Sequence, residues 1–242
     1  MLVKSSTSSL FRSQLFGCSE VHLVDLPQHF GVKVHQLALA PLIELMKAAK
    51  TAGFELQVAS GFRGFERQLL IWNKKCCGER PVFDRQGNLI DIQPLSPLEK
   101  VEAILHWSAL PGASRHHWGT DCDIYDAAVM PSDYQLQLHP DEYTGSGLFA
   151  PMMTWLSEYL QRSDTPDFYH PYLLDSGGVA PEPWHISYRP IAARYEQQMT
   201  VTLLRQHLQQ LPAENKIEEQ QTLLDNLEAI FPRFIQLTKP SS

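Results

Sequence analysis

The chain has 242 residues, 43% hydrophobic and 19% charged, which excludes a disordered chain and suits one domain with a sizeable core. Its 20 basic and 27 acidic residues give a net charge of −7, which argues against a nucleic-acid partner. Four cysteines (Cys18, Cys76, Cys77, Cys122) are too few for a disulfide scaffold and form no C-x-x-C pair, so they read as reduced thiols.

Residues 1–20 are rich in Ser and Thr and read as a loose N-terminal segment. They lack the apolar run of a secretory leader, and no stretch reaches the roughly 20 apolar residues of a membrane span. The expectation is a cytoplasmic protein with no membrane span, the periplasm being the alternative.

VHLVDL at 21–26 reads as a short strand. Leu39, Leu42, Ile43, Leu45, Met46 and Ala49 fall at helical spacing, predicting a helix over 36–52 with Pro41 in its first turn. FELQVA at 54–59 alternates like a strand, and 64–75 returns to helix. Residues 76–97 read as a long irregular excursion with a turn at 84–88. Ser96, Pro97 and Glu99 then have the spacing of a helix cap, with a helix expected to about Leu110. Further expectations are a strand at 121–125, a helix within 145–162, a strand at 184–188, and two closing helices at 190–210 and 215–231. Helices and short strands mix without βαβ alternation, which favours an α+β fold.

Three stretches carry chemistry: Ser60 to Gln68, Ser114 to Asp123, and Glu182 to His185. His116, Asp123 and His185 form a normal ligand set for catalytic zinc, leaving a fourth position for water. Asp123 lies seven residues after His116, which suits a loop feeding a strand, with Gly119 allowing the tight turn. Glu182, three residues before His185, can act as general base without binding the ion. Arg63 supplies a permanent cation for an oxyanion or a carboxylate. His117 adjoins His116, and adjacent side chains diverge, so it is expected beside the site or on the surface. Cys122 is expected to point away from Asp123 on a strand and to be buried.

These motifs resemble those of the zinc D,D-peptidases of peptidoglycan metabolism. That group comprises VanY-like D-alanyl-D-alanine carboxypeptidases, VanX-like dipeptidases and L,D-carboxypeptidases. Their S-x-H-x-x-G-x-A-x-D pattern aligns with Ser114 to Asp123, E-P-W-H with Glu182 to His185, and S-G-[FY]-R-S-x-x-x-Q with Ser60 to Gln68. The resemblance implies one zinc ion on His116, Asp123 and His185, with Glu182 and Arg63 catalytic and Ser114 and Gln68 touching substrate. It implies an α+β fold with a small antiparallel sheet flanked by helices and zinc in a central cleft. A zinc peptidase domain is expected over 21–190 and a C-terminal helical extension, packed on the same domain, over 191–242. The implied activity removes a C-terminal D-amino acid such as D-alanine from a peptidoglycan stem peptide. The alternatives are a D,D-dipeptidase, a peptidoglycan endopeptidase, or a non-catalytic zinc module that binds cell-wall peptide or protein.

Three positions depart from the pattern. Asp121 stands where the family usually has alanine, and Gly64 where it has serine. Ser187 stands where the family often has an arginine two residues after the second histidine, leaving Arg115 or Arg189 as replacements.

Overall fold

The structure, a computed structural model, describes residues 3–236, with side chains from Ser9 onward. A four-stranded antiparallel sheet positions the site, in the order β3 (Leu56–Ser60), β6 (Asp121–Asp126), β8 (His185–Tyr188) and β7 (Phe168–Tyr169). Strand alternation splits the sheet into two faces. Cys122, Ile124 and Ile186 turn into one core with Leu42 and Leu45 of α2 (Gln36–Thr51) and Met152 and Leu156 of α6 (Ala150–Tyr159). Asp121, Asp123, His185 and Ser187 occupy the other face. The register sets Asp121 against Ser187 and Asp123 against His185.

A second core lies beyond that polar face. It joins α1 (Val3–Leu15), α3 (Phe65–Cys76) and α4 (Pro97–Leu105) to the C-terminal helices α7 (Arg189–Gln198), α8 (Val201–Gln209), α9 (Gln220–Asp225) and α10 (Leu227–Phe234). The fully buried Trp72 donates its indole N–H to Glu218 O at 3.0 Å, tying α3 to the segment before α9. The expected α+β fold, with a small antiparallel sheet and flanking helices, is the fold observed.

Several elements differ from expectation. The segment expected to be loose holds helix α1, and Leu15 and Phe16 at its end are buried in the second core. Short β1 (Leu23–Asp25) pairs with β2 (Lys33–His35), which the sequence did not signal. Pro41 lies in the second turn of α2 rather than the first. The 76–97 excursion contains a hairpin, β4 (Val82–Phe83) with β5 (Leu89–Ile90), around the expected turn. Helix α4 has the expected capping box at Ser96 and Glu99 but stops at Leu105. The expected 190–210 helix breaks at Thr200, whose hydroxyl caps α8, and the last helix divides into α9 and α10 at Asn226. A single turn, α5 (Pro140–Tyr143), precedes α6. No helix among the described residues is long and apolar enough to cross a membrane.

Candidate metal centre

Two loops are laced together to make the site. Residues 115–118 form a 3-10 turn that ends at Gly119 in the left-handed region, φ +69°. A Cβ on Gly119 would lie 2.8 Å from His35 N, so both the dihedral and the close approach require glycine. The S-G-F-R loop runs alongside. Arg63 N donates to His116 O at 3.0 Å, His116 Nδ1 donates to Gly61 O at 2.8 Å, and His117 Nδ1 donates to Arg63 O at 2.6 Å. A Cβ on Gly61 would lie 2.5 Å from Lys33 O, which explains the glycine there.

His116, Asp123 and His185 are all buried, and their ligand atoms lie within 4.8 Å of one another. His116 Nε2 is 3.4 Å from Asp123 Oδ2, and His185 Nδ1 is 3.5 Å from Asp123 Oδ1. Tetrahedral ligands at about 2.0–2.2 Å from zinc stand roughly 3.3–3.5 Å apart, which the two histidine–aspartate separations match. The hydrogen bonds agree. His116 gives Nδ1–H to Gly61 and keeps Nε2 for a ligand bond. His185 gives Nε2–H to Asp121 Oδ2 at 2.9 Å and turns Nδ1 to the site.

The electrostatics also call for a cation. Burial opposes charge on His185, but hydrogen bonds to Asp121 and Glu182 outweigh it and raise its pKa to about 10. Burial disfavours the Asp123 carboxylate, and His116, His185 and Arg63 overcome this to hold its pKa below the ordinary value. A divalent ion bound here would take the place of the proton that His185 otherwise holds.

The remaining residues expected in the site are placed as follows. Glu182 Oε2 is 3.2 Å from His185 Nδ1, at the start of the turn that leads into β8. Arg63 Nη2 lies 3.8 Å from Asp123 Oδ2. Gln68 is fully buried; its Oε1 accepts from Arg63 Nη1 at 3.0 Å and its Nε2 donates to Ala109 O at 2.6 Å. Its contact is therefore with Arg63. Ser114 Oγ is buried without a hydrogen-bond partner among the described residues. Cys122 is buried on the opposite face from Asp123, as expected.

Neither replacement arginine faces the cleft. Arg115 is buried and donates to Asp121, Glu196, Tyr169 and Ser187. Arg189 is at the surface, paired with Asp167 and stacked over Tyr169 at 4.0 Å. Asp121, singled out only as a departure, turns out to contact His185. Its position two residues before Asp123 on a strand was the available signal, since both then share a face. Tyr172, whose ring meets His185 edge-on at 5.1 Å, carried no such signal.

Residues 31–191 match the family model described as VanY, D-alanyl-D-alanine carboxypeptidase. An uncharacterized protein of Haemophilus influenzae is 46% identical over 101 residues, covering 40% of this chain and 67% of its own. A D-alanyl-D-alanine carboxypeptidase of Enterococcus faecalis is 28% identical over 177 residues, covering 69% of this chain and 56% of its own. Among solved structures, VanYB in complex with D-alanine-D-alanine is 24% identical with a TM-score of 0.49, covering 80% of this chain and 91% of that one. A zinc-bound vancomycin-resistance D,D-pentapeptidase VanY is 26% identical with a TM-score of 0.47, covering 76% and 89%.

Proposed function

The chain belongs to the VanY family of D-alanyl-D-alanine carboxypeptidases, and from that membership we propose that it is a zinc metallopeptidase removing a C-terminal D-amino acid from peptidoglycan stem peptides. The observation that carries this reading is Glu182 at 3.2 Å from the metal-facing nitrogen of His185, beside a buried His-Asp-His set. Zinc held there supplies Lewis-acid polarisation of the carbonyl and lowers the pKa of water.

The protein groups divide the remaining work. His116, Asp123 and His185 hold the ion. Glu182 takes a proton from the attacking water and returns it to the leaving amine. Arg63 steadies the negative charge that develops on the carbonyl oxygen. Gln68 and Ser60 hold the guanidinium in place through hydrogen bonds of 3.0 and 3.2 Å. The hydroxyl of Ser114, without a partner among the described residues, contacts the substrate. With Arg115 and Arg189 engaged elsewhere, Arg63, 3.8 Å from Asp123, is also a cation placed for a terminal carboxylate.

Defined tri-, tetra- and pentapeptide stems, incubated with zinc-loaded protein and read by mass spectrometry, test the reading. Loss of one terminal D-residue is expected, and amidating the terminal carboxylate should abolish it. Release of a dipeptide, or cleavage that survives amidation, would assign the site to a dipeptidase or an endopeptidase. Muropeptide binding with zinc present and no turnover would overturn catalysis.

A further inference from the structure

The Asp121 carboxylate has all of its accepting capacity engaged. Oδ2 accepts from Arg115 Nε at 2.7 Å and from His185 Nε2 at 2.9 Å. Oδ1 accepts from Thr120 Oγ1 at 2.7 Å and from Ser187 Oγ at 2.8 Å. The group is wholly buried, so its orientation is set by these four donors and not by solvent. Its main partner is fixed in turn. Arg115 also donates to Tyr169 Oη and Ser187 Oγ, each at 2.8 Å, and to Glu196, and lies over the Trp118 ring at 4.8 Å.

We infer that Asp121 is a positioning residue for the metal: by taking the Nε2–H of His185 it fixes the tautomer and ring orientation that present Nδ1 to the ion, and Arg115 locks that carboxylate in place. The inference rests on the metal-centre reading above. A neutral imidazole carries one proton and one lone pair, on different nitrogens. With the proton claimed by Asp121 on one side of the ring, the lone pair faces Asp123 and Glu182 on the other. A carboxylate behind a histidine ligand also makes that ligand a stronger donor. The network therefore reaches from the ion, through His185, Asp121 and Arg115, to Glu196 on α7. That helix thus takes part in holding a metal ligand.

Zinc affinity of Asp121→Asn, measured by competition with a chromophoric chelator, is expected to fall by roughly 10–100-fold. The visible bands of the cobalt-loaded variant are expected to shift. A merely structural role would lower the melting temperature of the metal-free variant and leave both readouts alone. Zinc affinity within about twofold of wild type with unchanged cobalt bands overturns the inference. A second measurement needs no variant. Long-range 1H–15N spectra of the zinc-loaded wild-type protein should show His185 protonated on Nε2 and not on Nδ1. A proton on Nδ1 overturns the inference while leaving zinc binding intact. A wild-type protein that takes up neither zinc nor cobalt overturns the metal-centre reading and this inference with it.

Discussion

Glu182 Oε2 stands 3.2 Å from His185 Nδ1, so this carboxylate and the imidazole nitrogen that faces Asp123 share one small volume. Replacing Glu182 with Gln keeps the shape and removes the proton acceptor. Hydrolysis is expected to fall by at least about 10²–10⁴-fold while zinc remains stoichiometric. Metal analysis beside steady-state kinetics checks this, and undiminished turnover would falsify the assignment.

Gln68 acts through Arg63. Gln68→Leu removes the acceptor from Arg63 Nη1 and leaves the Ala109 carbonyl without its donor. A stability loss of about 1–3 kcal/mol is expected from the stranded polar groups. The expected kinetic signature is a lower kcat at unchanged zinc content. Equal kcat in variant and wild type would show that Arg63 keeps its place without help.

His22 and His35 pack with ring centroids 5.3 Å apart, and burial pushes the pKa of each down to about 4. The unfolded chain binds protons at these sites near pH 6.5, so stability is full above that value and is lost as pH falls toward 4. Metal-free protein should be less stable at pH 5 than at pH 7, with His117, His170 and His207, also held below their ordinary pKa by burial, adding in the same direction. Chemical denaturation at the two pH values measures this. Equal midpoints would contradict it.

Gly178 packs against the C-terminal helix. A Cβ there would collide with the Arg233 carbonyl oxygen. The Gly178 carbonyl accepts from Arg85 Nη1 at 3.2 Å and from His106 Nδ1 at 2.9 Å, while Ala180 N donates to His106 O at 2.9 Å. These bonds brace the loop that ends at Glu182. Gly178→Ala is expected to cost about 1–3 kcal/mol in stability and to lower kcat with zinc affinity unchanged. Melting curves, kinetics and a zinc titration separate the three effects.

The clustering of His116, Asp123 and His185 was legible because each sits in a compact motif whose spacing reflects a local turn or strand. The roles of Asp121 and Gln68 were not, since each depends on a partner distant in sequence: His185 for one, Ala109 for the other. Asp121 reads as an extra acid until β6 and β8 are paired. Strands β2 and β7 are three and two residues long, too short for alternation to register. Helix α1 hides behind its serines, which favour caps and turns in isolation and are helical here in a segment whose end is buried. The break at Thr200 was written in a capping residue that an unbroken apolar spacing obscured.

Trp118, one residue before Gly119, donates its indole N–H to Leu15 O at 3.2 Å and stacks on Tyr195 at 5.5 Å. Both partners lie outside residues 31–191, the span that matches the family. Gly17 O likewise accepts from Phe65 N at 2.9 Å, at the head of the helix that carries Gln68. Family likeness and mechanical self-sufficiency therefore have different boundaries in this chain. The recognisable family span is not a portable cassette: grafted alone into another host, it would leave behind the two flanks that clamp the turn carrying His116.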